Sequence, residues 1–208
     1  DVTFHEVYGI SLNVVDIDPT YTLGESARKK AQVIKKLEDD GIIDMNKMLS
    51  IKLLCKNIAV ISAEGAAGYG DFCHQLEHNA YGYKYNITLF NSIMQGEKAE
   101  ASILESLDKV LERLDEFDVL VMIRGGGAVS DLDCFDSYLL SASLAQFPLP
   151  VLTGIGHTRD VSVVDMVAKL PLKTPTAVAD FIINHTRSLE EKIDSYIELL
   201  SRSVTVLL

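Results

Sequence analysis

The sequence is poor in cysteine, in basic residues and in long apolar runs. Its three cysteines, Cys55, Cys73 and Cys134, lie far apart in 208 residues and form no C-x-x-C pair. That argues against a disulfide framework or a zinc site and fits a reducing cytoplasm. No stretch approaches the roughly 20 apolar residues of a membrane helix. The longest clean run is Val119–Ile123, so no membrane partner is expected. The opening DVTFHEV lacks the basic start and apolar segment of a signal peptide. It also lacks an initial Met, and the chain reads as part of a longer one. There is no internal repeat, no low-complexity segment and no GxxxxGK(S/T) phosphate loop. No His, Cys, Asp or Glu cluster shows metal-ligand spacing, so no metal is expected to be required, with Mg2+ left open.

Basic residues are scarce in a telling way. Lys and Arg number 19 against 30 Asp and Glu, for a net charge of −11. A surface that grips phosphates is usually basic, so any hold on nucleic acid must come largely from elsewhere. Residues 101–150 carry nine acids against three bases. Glu105, Asp108, Glu112, Asp115, Glu116 and Asp118 among them read as the solvated outer face of one helix.

What is present is a core-forming pattern. Apolar residues make up 48% of the chain, enough for one domain with an appendage. Residues 5–18 read as a strand ended by Pro19. Thr22 and Glu25 then form a T-x-x-E capping box, with Ala27, Ala31, Ile34 and Leu37 at helical spacing and Gly41 as the stop. Strands are expected at 57–62, 86–90, 119–123 and 151–155. Helices are expected at 71–79, 97–117, 135–145 and 161–168. The strands are apolar throughout rather than alternating, as in a parallel sheet covered on both faces. The expected fold is α/β: a three-layer open sheet, mostly parallel, with helices on both faces. Near the C-terminus, Ser188 and Glu191 suggest another capping box. Leu189, Ile193, Tyr196, Leu200 and Val204 follow in a heptad-like seam. A terminal core-packing helix explains this seam as well as a coiled coil does; we read it as the start of a longer helix.

In an open parallel sheet, ligands bind outside the carboxyl ends of the strands. Arg124 follows strand 119–123 and opens Gly125-Gly126-Gly127. Such glycines let backbone N–H groups approach an anion, and arginine adds a fork suited to phosphate. The bland alternative is a flexible turn with a salt-bridged arginine. His157 follows strand 151–155 within G-I-G-H-T-R-D and suits proton transfer near neutrality. Asp160 could orient the imidazole or cap a helix. Asp71 stands at a helix start, where complementing the helix dipole would explain it. Asp131 and Asp133 read as solvated, and Asp165 as a helix-surface or helix–loop contact. Thr174-Pro175-Thr176 reads as a helix start with Pro at its first position. Together, arginine, glycine backbone, histidine and aspartate at one sheet edge suit phosphodiester cleavage, with charge held by Arg124 and the glycine N–H groups.

Five segments carry a resemblance: YGISLNVVDIDPTYTLGE, LEDDGIIDMNK, IAVISAEGAAGYGDF, DVLVMIRGGG and VLTGIGHTRDVSVVDMVAKLPLKTPTAVAD. From Tyr8 to Asn184 the chain resembles the large subunit of bacterial exonuclease VII. The resemblance implies a metal-independent exonuclease that digests single-stranded DNA from both ends in complex with a small subunit. It matches family residues to Asp71, Arg124, His157 and Asp160. The sequence departs at Ala128, where the family has serine, and at Thr158 and Arg159, where G-H-E-T-D becomes G-H-T-R-D. A carboxylate is lost there, and Arg159 is assigned to phosphate binding with Gly125, Gly126 and Gly127. By this resemblance residues 1–186 are the catalytic domain and 187–208 begin the helical region that binds the small subunit. The family's N-terminal OB-fold domain, a grip for single strands, is expected to be missing, so this chain alone is expected to be inactive. Two other readings stand beside it: a nucleotide-dependent small-molecule phosphotransferase and a non-catalytic scaffold.

Overall fold

A computed structural model describes residues 2–5, 9–12, 19–125, 129–156 and 161–207. Strand β1 (Val2–His5) pairs antiparallel with β2 (Gly9–Leu12). The first segment is thus two strands and not one. Helix α1 spans Pro19–Asp39, so Pro19 begins the helix and Thr22 lies within it. Proline's fixed φ suits a first helical position as well as a strand end. Gly41 does end α1: at φ +70° its N–H bonds Glu38 O, and Ile42 N–H reaches back to Leu37 O at 3.1 Å. This is the Schellman pattern, for which a residue without a Cβ is best suited.

A five-stranded sheet follows, all parallel. Its strands are β3 (Asn57–Ser62), β4 (Asn86–Asn91), β5 (Val119–Ile123), β6 (Val151–Gly154) and β7 (Leu170–Pro171), in spatial order β4-β3-β5-β6-β7. Side chains alternate between the two faces. Ala59, Ile61, Leu120 and Met122 share one core with residues of α1, α4 (Ala99–Leu111), α5 (Tyr138–Ala145) and α6 (Val163–Val167). Ile58, Val60, Val119, Val121 and Ile123 share the other with α3 (Ala67–Glu77) and α7 (Pro175–Leu207). Both faces are therefore covered, which is why β3 and β5 have no polar side in their sequence.

The short helix α2 (Met45–Met48) carries a fully buried amide, Asn46. Its Nδ2 donates to Phe147 O and Leu149 O at 3.0 and 2.9 Å, and its Oδ1 accepts from Val151 N and Lys169 N at 2.9 and 3.0 Å. All four hydrogen-bonding positions of the amide are used, fastening α2 to the approaches of β6 and β7.

Helix α7 starts where the Thr-Pro-Thr reading places it, with Thr174 Oγ1 accepting from Ala177 N at 3.1 Å. It then runs unbroken past Ser188, so that residue is mid-helix and not a cap. Val178, Ala179, Ile182 and Ile183 are buried against the sheet, whereas Ile193, Tyr196 and Leu200 are exposed. No helix among the described residues is long and apolar enough to cross a membrane.

Candidate functional site

In this strand order the chain leaves β3 toward one side for β4 and returns to the other side for β5. The place where the direction reverses is the carboxyl edge between β3 and β5, and parallel sheets open a crevice there. A cleft of about 820 Å³ occupies it, running from Arg124 and Gly125 past residues 63–67 to the β4 exit at residues 91–95.

Arg124 leaves β5 directly into this cleft. It is only 7% exposed, and its backbone N–H bonds Gly154 O at 3.3 Å, which joins the exits of β5 and β6. The guanidinium also acts on Cys134. Burial pushes that thiol up to about 11, and the positive charge of Arg124 opposes the rise. Burial thus disfavours the reactive thiolate form of Cys134.

Against Arg124 and Gly125 stands the N-terminus of α3. Its cap residue is Ala66, which has no side-chain acceptor to offer. The N–H groups of Ala67 and Gly68 have no carbonyl one turn back to bond. The packing is close: a Cβ on Gly68 would lie 2.8 Å from Arg124 O and from Pro175 Cγ, and 3.1 Å from Gly125 Cα. A Cβ on Gly125 would meet Ala66 Cβ at 3.2 Å, Gly68 N at 3.5 Å and Ala67 N at 3.6 Å. Glycine at both positions lets the start of α3 pack on the backbone of the β5 exit, so that Arg124, Gly125, Ala66 and Ala67 line one cleft. Such a lining favours an anionic oxygen. Among the described lining residues, Arg124 is the one cation and Glu64 the one anion.

Asp71 is placed differently from the expectation. Helix α3 begins four residues before it and has no acid in its first turn, so the dipole reading of Asp71 fails. The carboxylate is exposed and is not among the residues lining the cleft. Gly126, Gly127, His157, Arg159 and Asp160 lie outside the described residues, as do Ala128 and Thr158. Asp133 is exposed, as expected.

Both ends of the stretch that carries His157 are fixed. On one side β6 ends at Gly154, where a Cβ would stand 2.9 Å from Val178 Cγ2 and 3.0 Å from Thr174 O. On the other, Ser162 caps α6 in a reciprocal box with Asp165. Asp165 is 5% exposed and not a surface residue. It accepts from Thr153 Oγ1 at 2.6 Å and from Ser162 Oγ at 2.8 Å, which ties β6 to α6 across the stretch. The signal for this role was S-x-x-D, the same capping pattern read elsewhere in the chain. Val163 N–H also donates to Asp136 Oδ1 at 2.7 Å, and Lys30 lies 3.5 Å from that oxygen.

A doubly wound parallel sheet with an anion-suited cleft at its switch point describes many nucleotide- and phosphate-handling proteins. Comparison narrows this class. The family model described as "Exonuclease VII, large subunit" matches residues 42–208. The chain is 37% identical over 182 residues to the exodeoxyribonuclease 7 large subunit of Deinococcus radiodurans, covering 86% of this chain and 44% of that protein. It is 35% identical over 161 residues to that of Nostoc sp., covering 77% and 38%. It is 33% identical over 173 residues to that of Campylobacter lari, covering 83% and 44%. The chain belongs to the exonuclease VII large-subunit family. It spans less than half the length of these curated relatives.

Proposed function

We propose that this chain is the hydrolytic part of an exodeoxyribonuclease that cleaves phosphodiester bonds of single-stranded DNA from both ends. The observation that carries the reading is the meeting of Arg124, Gly125 and the uncapped N-terminus of α3 at the switch point. These groups would hold the scissile phosphate and stabilise the charge that grows on it. His157 would move the proton of the attacking water or of the leaving oxygen. Asp160 would orient His157, and Gly126, Gly127 and Arg159 would complete the phosphate contacts; Asp71, exposed and outside the cleft lining, is proposed as a further catalytic carboxylate on the family resemblance alone. The reaction is proposed to need no resident metal, with Mg2+ an optional addition.

In this reading residues 1–186 form the catalytic domain. Residues 187–208 lead into a helical region that binds the small subunit in the cytoplasm, and the exposed Ile193, Tyr196 and Leu200 suit such a contact. That boundary falls inside one continuous helix, whose core-packed part gives way to an exposed part. The phosphotransferase and scaffold readings gain nothing from the comparisons.

The test is degradation of end-labelled single- and double-stranded DNA by the full-length protein with its small subunit, with EDTA or with magnesium. Single-strand degradation in EDTA supports the reading. Requirement for magnesium would refute the metal independence, and no degradation under either condition would refute the nuclease.

A further inference from the structure

The cleft is far larger than a phosphate group needs. Pockets of about 300–1,000 Å³ hold drug-sized molecules, and this one measures about 820 Å³. The space beyond Arg124 is walled by the exit of β4, and that wall is built with care. Asn91 Oδ1 accepts from Glu64 N at 3.0 Å, tying the β4 exit to the loop before α3. Ser92 Oγ donates to Ser106 Oγ at 2.6 Å, and Ile93 N donates to Ser102 Oγ at 2.9 Å. Ser92 and Met94 are buried at 4% and 5%, yet Ile93 between them is 48% exposed. A segment anchored on both sides thus turns one aliphatic side chain outward beside the cleft. Gln95, also exposed, follows it with a side-chain amide that can both donate and accept. Charge sorts the two ends of the cleft. Phosphate is drawn to Arg124, and Glu64 disfavours a second phosphate along the wall.

We infer that residues 92–95 form a nucleoside subsite, in which Ile93 supports the base adjoining the phosphate held at Arg124 and Gln95 meets the edge of that base. This rests on the nuclease reading and extends it. An aliphatic side chain can pack by van der Waals contact on the ring face of any base, and an amide that both donates and accepts discriminates little among base edges. The subsite also supplies contact energy that does not depend on positive charge, which a chain of net charge −11 lacks.

The test uses the full-length large subunit with its small subunit and a labelled single strand carrying one abasic residue at a known position. Cleavage sites are mapped against the same strand without the lesion. In the wild type, cleavage of the bonds flanking the abasic residue is expected to fall about fivefold, the scale of partial burial of one aliphatic side chain. In Ile93→Ser, kcat/KM on unmodified DNA is expected to fall about three- to fivefold, mostly through KM, and the dip at the lesion is expected to shrink to about twofold or less. Gln95→Ala is expected to shrink it partly. Because Ile93 is exposed, a thermal melt unchanged from wild type accompanies the result. Wild-type kinetics in Ile93→Ser, or an unchanged dip, would overturn the subsite. A wild type that degrades DNA with no dip would overturn it while leaving the nuclease intact. A wild type that degrades no single strand would remove both.

Discussion

Replacing Gly68 by alanine puts a methyl group where three elements meet. The added carbon would lie 2.8 Å from Arg124 O and 2.8 Å from Pro175 Cγ. Ordinary contact begins some tenths of an ångström further out, and Arg124 O is backbone at the end of a strand buried on both faces. The helix must therefore retreat. Overpacking of this kind costs about 1–3 kcal/mol, and the better helix propensity of alanine offsets at most about 1 kcal/mol. A net loss of up to about 2 kcal/mol corresponds to a fall in Tm of up to roughly 8 °C for a chain of this size. Gly70 is the internal control. It sits in the same helix, has no atom within 4 Å of its would-be Cβ apart from its chain neighbours and the nearby helix backbone, and has no positive φ. Gly70→Ala is expected to stabilise by about 0.5–1 kcal/mol. Thermal melts of both variants read the difference, and DNA degradation by the assembled enzyme reads its consequence at Arg124. Gly68→Ala should lose activity and Gly70→Ala should keep it. Equal melts for the two variants would refute the close approach of α3 to β5.

Other outcomes follow from the same geometry. Asn46→Ala leaves two buried N–H groups and two carbonyls without their partner, at about 1–3 kcal/mol each before relaxation. A loss of about 3–5 kcal/mol in chemical denaturation is expected, and a loss below about 1 kcal/mol would contradict the four bonds. Asp118 accepts from Lys52 Nζ at 2.8 Å and from the N–H groups of Lys56 and Asn57 at 3.0 and 2.8 Å. Burial works to raise its pKa, but Lys52 and the two N–H groups prevail and hold it below the ordinary 3.8. Its stabilisation is complete above that ordinary value and drains away as pH falls through the lower folded one. The melts of wild type and Asp118→Asn should therefore differ at neutral pH and converge in acid. Cys134, with its thiol at about 11, should alkylate slowly at pH 7 and faster as pH rises toward that value, as mass spectrometry would show. On the proposed nuclease reading, these 208 residues by themselves should not degrade DNA in the labelled-strand assay.

Much of this fold is visible in the sequence where physics is local. β3 and β5 are read to the residue because a strand covered on both faces is a short apolar run bounded by polar residues. Arg124 stands out for the same reason, as the first polar residue after such a run. β7 is invisible: two residues, one of them Pro171, make no pattern. The T-x-x-E and S-x-x-E pairs at Thr22 and Ser188 mislead, because the same spacing also occurs inside a continuing helix. The true start of α1, at Pro19, looks like the end of a strand. What no local pattern reveals is the close approach of Gly68 to Gly125, or the role of Asn46. Both depend on which strands become neighbours, and the order β4-β3-β5-β6-β7 is a tertiary outcome. Asp71 shows the limit from the other side, since a shift of four residues in a helix start removes the dipole explanation for its acid.

The most direct test of the nuclease reading is the rate of single-strand degradation by the assembled full-length enzyme in EDTA, comparing wild type with Arg124→Ala and His157→Ala. The account predicts single-strand-specific degradation by wild type and a loss of at least a hundredfold in each variant, the scale of one removed charge-stabilising or proton-transferring group. Wild-type rates in either variant, with the fold intact, would contradict it.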